Sequence, residues 1–166
     1  MFFLLGCNNN SEPEAKKTVK QYSIAQLYKT KSIGGGLFNK DESKILVQNN
    51  ESGIFNLYEI NLADTGMKQL TSSTKESFFA VVYVAGTDKT IYSADQGGNE
   101  NDHLYLRQPD GTVKDLTPGE KEKAIFYGWN KAKNNLYYAS NKRDTRFFDV
   151  YKMDTSKWAA SLIYKN

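Results

Sequence analysis

Apolar and polar positions alternate with a period of two through most of this chain, in short runs broken by Asn, Asp, Gly and Ser. The runs are Ile33 to Phe38, Lys44 to Gln48, Ile54 to Ile60 and Met67 to Thr71, then Phe78 to Val84, Thr90 to Ala94, His103 to Arg107 and Thr112 to Leu116. A last set is Ala124 to Trp129, Asn135 to Ser140, Phe147 to Met153 and Trp158 to Tyr164. Successive side chains of a strand point to opposite faces, so this alternation predicts half-buried β-strands. The breaks "NKDES" (Asn39 to Ser43), "AGTDK" (Ala85 to Lys89), "NKAKNN" (Asn130 to Asn135) and "PDG" (Pro109 to Gly111) carry the residues that turns need. One segment follows a helical pattern instead. In "SIAQLY" (Ser23 to Tyr28), Ser23 and Gln26 have capping-box spacing, and Ile24, Leu27 and Tyr28 form one stripe. This predicts a short N-terminal helix against the first strands or over one face of the disc.

The strands recur. Ile45, Ile91 and Leu136 lie 46 and 45 residues apart, and Tyr58, Tyr105 and Tyr151 lie 47 and 46 apart. "KQLT" (Lys68 to Thr71) is answered by "KDLT" (Lys114 to Thr117), again 46 residues on. Four strands in each period of about 40–50 residues is the pattern of a β-propeller blade. The predicted fold is therefore all-β: a propeller fragment of three four-stranded antiparallel blades, at about 33–71, 78–117 and 124–164. A polar linker at 8–21 precedes the partial propeller at 22–166.

Composition agrees with this reading. The chain has 166 residues, 39% hydrophobic and 25% charged, with 11 Tyr, 9 Phe and only 3 Pro, a balance that suits pleated, half-buried surfaces. The net charge of +3 is spread along the chain, without the basic patch of a nucleic-acid binder. No stretch approaches the apolar length of a transmembrane helix.

"LLGC" (Leu4 to Cys7) sets the single cysteine against the polar tract Asn8 to Lys17. One cysteine forms no internal disulfide and no multi-cysteine metal site. The Leu-x-Gly-Cys spacing resembles a bacterial lipobox, which makes residues 1–7 a partial lipoprotein signal and Cys7 the lipid attachment site. A secretory signal has a basic start and about 7–15 apolar residues. Here Phe2, Phe3, Leu4 and Leu5 alone precede Gly6, so either the start lies upstream or the signal is degenerate. The alternative is a frayed terminus with an incidental cysteine. The lipid reading implies the cell envelope (periplasm or outer membrane) or secretion, with a membrane contact through the anchor.

Candidate chemistry is sparse. No G-x-S-x-G occurs, and His103, the one histidine, begins a strand, where it is expected to bond nearby backbone. "DQGGNEND" (Asp95 to Asp102) has oxygen ligands but lacks EF-hand spacing, so it reads as a hairpin loop. "GGG" (Gly34 to Gly36) lacks the Gly-Lys-Ser/Thr of a phosphate loop and is expected to relieve crowding in an innermost strand. The charges in Ser140 to Tyr151 read as a solvated loop with local ion pairs. No residue is assigned to catalysis, to a cofactor or to a metal.

The stretches "SIGGGLFNKDESKILVQNNESGIFNLYEI", "IYSADQGGNENDHLYLR", "VKDLTPGEKEKAIFYGW" and "SNKRDTRFFDVYKMD" resemble the N-terminal propeller of the prolyl oligopeptidase family of serine peptidases, particularly lipoprotein or secreted members of Bacteroidetes-type bacteria. The resemblance covers Tyr22 to Asn166. It implies a two-part enzyme in which a propeller gates an α/β-hydrolase domain carrying Ser, Asp and His in that order. This chain stops after three blades, so the expectation is a non-catalytic, substrate-gating portion. Peptide substrates would be reached through the missing catalytic domain, which would belong to the same chain. The alternative is a TolB-like propeller lipoprotein that binds a protein partner or a glycan. An open arc of three blades is expected to leave two unmatched faces, one on the blade around Ile45 and Leu57 and one on the blade around Leu136 and Val150, and to be marginally stable.

Overall fold

The computed structural model describes residues 19–166. Residues 1–7, with Cys7, and most of the linker lie outside the described residues. The chain divides into two compact units, Met1–Thr30 and Lys31–Asn166. In the first, α1 (Ile24–Leu27) is capped as its sequence predicts: the Ser23 and Gln26 side chains each accept the other's backbone N–H. Its apolar stripe is exposed rather than buried, with Ile24, Leu27 and Tyr28 all solvent-facing.

The second unit consists of three separate four-stranded antiparallel sheets. The first is β1 (Ile33–Phe38), β2 (Lys44–Asn49), β3 (Asn56–Asn61) and β4 (Met67–Gln69). The second is β5 (Phe79–Tyr83), β6 (Thr90–Ala94), β7 (His103–Arg107) and β8 (Val113–Asp115). The third is β9 (Ala124–Trp129), β10 (Asn135–Ser140), β11 (Asp149–Asp154) and β12 (Ala159–Tyr164). Strand order follows chain order in every sheet, the arrangement of a propeller blade.

The repeat extends to the irregularities. Each first strand carries a bulge against its neighbour, at Gly36, Val81 and Tyr127, spaced like the landmarks in the sequence. In the first two sheets the outermost strand is shorter than its apolar run because a threonine ends it. The Thr71 hydroxyl accepts the Leu57 N–H at 2.9 Å, and the Thr117 hydroxyl accepts the Leu104 N–H at 3.0 Å, so a side chain replaces the next rung of the ladder. The KQLT and KDLT repeats encode this bond.

Consecutive sheets meet face to face: β5 lies against β1 and β2, and β9 lies against β7. The larger core fills the seam between the second and third sheets, with Ile91, Leu104, Leu106, Leu136, Tyr138 and Met153 fully buried. A smaller one, Leu57, Tyr92 and Ala94, lies between the first and second. Leu57 and Leu136 are both completely buried, because the pleat turns them toward the second sheet. The opposite side of the third sheet is marked by Val150, whose cross-strand partners Ala139 and Tyr164 share its face.

The glycines of β1 admit neighbours. A Cβ on Gly35 would sit 3.0 Å from the Gln48 amide oxygen and 3.2 Å from Ala80 of β5, and the residue has φ +89°. The crowding relieved is thus that of Gln48 and the adjoining sheet. Gln48 fills the space and accepts the Ala80 N–H at 3.1 Å.

Candidate functional site at the loop face

With strands alternating in direction, the β2–β3, β6–β7 and β10–β11 loops and the connections between sheets emerge on one side. At that end each third strand begins with a buried polar residue: Asn56, His103 and Asp149. They occupy equivalent places and solve burial differently. Asn56 bonds within its own sheet's loops, accepting from the Thr71 hydroxyl and the Ser73 N–H and donating to the Ser73 carbonyl.

His103 Nδ1 lies 2.7 Å from Asp115 Oδ2 across the β7–β8 hairpin. A carboxylate only accepts, so Nδ1 carries the proton. The expectation of a backbone partner at the strand edge is corrected here. The ring is buried and reaches diagonally across the hairpin to Asp115, the register partner of Tyr105, whose carboxylate Thr117 also holds, donating its N–H to Asp115 Oδ1 at 2.9 Å.

Asp149 takes a bidentate pair from Arg143, at 2.6 and 2.9 Å, which holds its carboxyl below the usual range. Local pairing in this loop was expected, but Asp149 is buried rather than solvated. The Arg146–Asp144 pair at 2.8 Å is the exposed one.

A cleft of about 250 Å³ opens beside the second seam, lined by Gly119, Lys121, Glu122, Asn141, Lys142 and Thr145. Glu122 is buried, and burial pushes its carboxyl above the usual range despite the hydrogen bond it accepts from Ser140 Oγ at 2.9 Å. Nothing in the sequence pattern singled out Glu122. The only signal available was a charged residue four positions before an innermost strand's Phe126.

Chemically, these groups are committed to one another. The Ser140 hydroxyl donates to Glu122 and the His103 Nδ1–H to Asp115, so serine, histidine and carboxylate do not form a relay. In the Asp95–Asp102 loop, Asp95 accepts the Glu100 N–H and Asn99 that of Asn101, as a hairpin loop requires. Among the described residues no three His, Cys, Asp or Glu side chains are grouped to hold a metal ion.

No protein-family model matches the chain. Over 101 residues, 60% of this chain, it is 31% identical to dipeptidyl aminopeptidase BIII of Pseudoxanthomonas mexicana, of which it spans 15%. It superposes on the putative TolB from Agrobacterium tumefaciens with a TM-score of 0.63 at 12% identity, over 79% of this chain and 48% of that one. A puromycin-hydrolyzing peptidase from Mycobacterium tuberculosis gives 0.58 at 16%, over 81% of this chain and 21% of that one. At such identities the solved structures share the fold alone. The chain spans less than half the length of each of these proteins. It is a propeller-type β-repeat, similar in sequence to part of a peptidase.

Proposed function

We propose that this chain is the non-catalytic propeller part of a cell-envelope serine peptidase of the prolyl oligopeptidase family. In this reading it narrows access to an α/β-hydrolase domain of the same polypeptide and does no bond-breaking itself. The 31% identity over 101 residues to a dipeptidyl aminopeptidase carries the proposal, since it exceeds the 12% to 16% shared with the propellers above. The commitments of His103 and Ser140 to Asp115 and Glu122 support a structural role for the polar residues of the loop face. The lipid anchor at Cys7 belongs to the same reading.

The test is the natural gene product read past Asn166. Further blades, then a G-x-S-x-G turn with later Asp and His, together with peptide hydrolysis that a serine-directed inhibitor stops, would support the proposal. A reading frame that closes the ring without that turn would overturn it. For the anchor, the product is labelled with a fatty-acid probe in its native envelope. Equal labelling of Cys7→Ser would overturn that part.

The superposition on TolB favours a second reading, a propeller that binds a protein partner or a glycan without any hydrolase. Ring closure without a nucleophile turn is its distinguishing outcome.

A further inference from the structure

On the loop side of the second sheet, where the connection from the first sheet arrives, lies a second cleft of about 320 Å³. Its apolar walls are Phe78, Tyr92 and Tyr105, and its polar lining is Glu76, Asp95 and Gln96. The rings are packed as a set. Tyr92 and Tyr105 stack with centroids 5.2 Å apart, and Phe78 lies 4.9 Å from Tyr92. Gln96 Nε2 donates to the Tyr105 hydroxyl at 3.1 Å and fixes that ring at the mouth.

Three features of this cleft are left over by the fold. Tyr92 is 4% exposed and its hydroxyl makes no hydrogen bond among the described residues, whereas those of Tyr83 and Tyr105 do; it is not sealed from solvent, since the buried side-chain atom left without a partner is Thr90 Oγ1. Glu76 and Asp95 form no ion pair among the described residues, and no Lys or Arg lines the cleft.

The repeat also makes Asp95 an exception. At the equivalent place in the other sheets, Asn50 and Asn141 clasp the start of their own first strand. Asn50 Oδ1 accepts the Ser32 N–H at 2.7 Å, and Asn141 Oδ1 accepts the Lys123 N–H at 2.6 Å. Asp95 makes no such clasp; one oxygen takes the Glu100 N–H and the other stays available.

We propose that this cleft binds an organic cation, the alkylammonium or guanidinium end of a lysyl or arginyl side chain. Ring faces attract a cation electrostatically, most strongly where water is excluded. The two carboxylates supply opposite charge, and the Tyr92 hydroxyl supplies an acceptor for an N–H donor. The volume falls at the low end of ligand cavities, the size for one side chain. The corresponding cleft of the next seam, lined by Lys121 and Lys142 as well as Glu122, has mixed charge, so the cation site is not a generic product of the repeat. This inference does not rest on the peptidase reading.

The test is an amide chemical-shift titration of the 166-residue chain with N-acetyl-lysine amide, N-acetyl-arginine amide and the uncharged N-acetyl-norleucine amide. Both cations are expected to bind saturably at millimolar concentration and to move the amides of Phe78 and of Asp95 to Asp102, and the norleucine amide is not. The tighter of the two identifies the preferred head group. Added salt should weaken binding. Replacing both carboxylates, Glu76→Gln with Asp95→Asn, should weaken it about tenfold or more, and Tyr105→Leu several-fold. The variants' undisturbed amide dispersion serves as the fold control. Equal binding of the norleucine amide, unchanged binding by a natively folded double variant, or no saturable shift with either cation would each overturn the proposal.

Discussion

Between the second and third sheets, Leu104, Leu106, Leu136, Tyr138 and Met153 close into a continuous apolar layer, with Glu122 and Ser140 paired off at its loop end. Between the first and second, the buried cluster is Leu57, Tyr92 and Ala94, and polar links do much of the joining. There Gln48 holds the Ala80 N–H, and Tyr83 donates to Glu59, which also pairs with Lys44 at 3.1 Å. One repeat has made both seams. The difference begins in the first strands: β1 is IGGGLF, with three glycines and almost no side chain to offer, whereas β9 is AIFYGW and presents Phe126 and Trp129 to the larger core. A seam poor in side chains is closed instead by Gln48, which lies against Gly35 and holds the adjoining sheet.

The largest expected effect lies in the apolar seam. Leu136→Ala should cost about 3–4 kcal/mol, because it empties a fully buried site whose neighbours are rigid rings and leucines. Leu57→Ala, equally buried in the looser seam, should cost about 2 kcal/mol. Urea unfolding of both variants measures the gap. An equal or larger loss at Leu57 would break the comparison.

Gly35→Ala should rank next, at about 2 kcal/mol, since a positive φ and the contacts with Gln48 and Ala80 act together. Gly36→Ala has a similar backbone but open space around it and should cost about 1 kcal/mol. If both cost the same, close approach of the sheets is not what the glycines serve.

A third pair isolates the ladder-ending threonines. Thr117→Val strands the buried Leu104 N–H and should cost about 2 kcal/mol, while Thr71→Val, less buried, should cost about 1 kcal/mol. Amide exchange at Leu104 and Leu57 reports the lost bond directly.

Much of this architecture was legible in the alternation of the sequence. The strands match their apolar runs to within a residue or two, because the period-two pattern and the turn residues both mark them. The side of each residue was harder. Alternation says that neighbours differ without saying which sheet each side meets, so the pattern alone does not turn Leu57 and Leu136 toward the second sheet. The sites were least legible. Tyr92 and Tyr105 lie in adjacent strands, but Glu76 and Phe78 reach them from the connection between sheets, a proximity that exists only once the seam forms. Glu122 and Ser140 meet within the third sheet, beside the Ala124–Ser140 rung, but Glu122 lies in the connection before β9, outside any apolar run. Cross-strand partners follow from hairpin register; partners across a seam do not.

The smallest expected effect concerns charge at the polar end of the larger seam. Glu122 is buried and its carboxyl is raised above the ordinary range, chiefly because burial penalises the charged form. The folded chain then keeps this proton to a higher pH than the unfolded chain does. Its contribution to stability is fully present below the ordinary carboxylate range and is lost as pH rises through the folded value. Asp149 slopes the other way: Arg143 lowers its carboxyl, so its contribution is present above the ordinary range and is lost as pH falls through the folded value. Glu122→Gln keeps an oxygen for the Ser140 hydroxyl and removes the charge. Its stability relative to the parent chain should therefore rise with pH from the acid side toward neutrality, while that of Asp149→Asn should fall. Urea midpoints at several pH values read both. Parallel curves for Glu122→Gln and the parent would mean that Glu122 titrates alike folded and unfolded, and the larger seam would then hold no strained charge at its loop end.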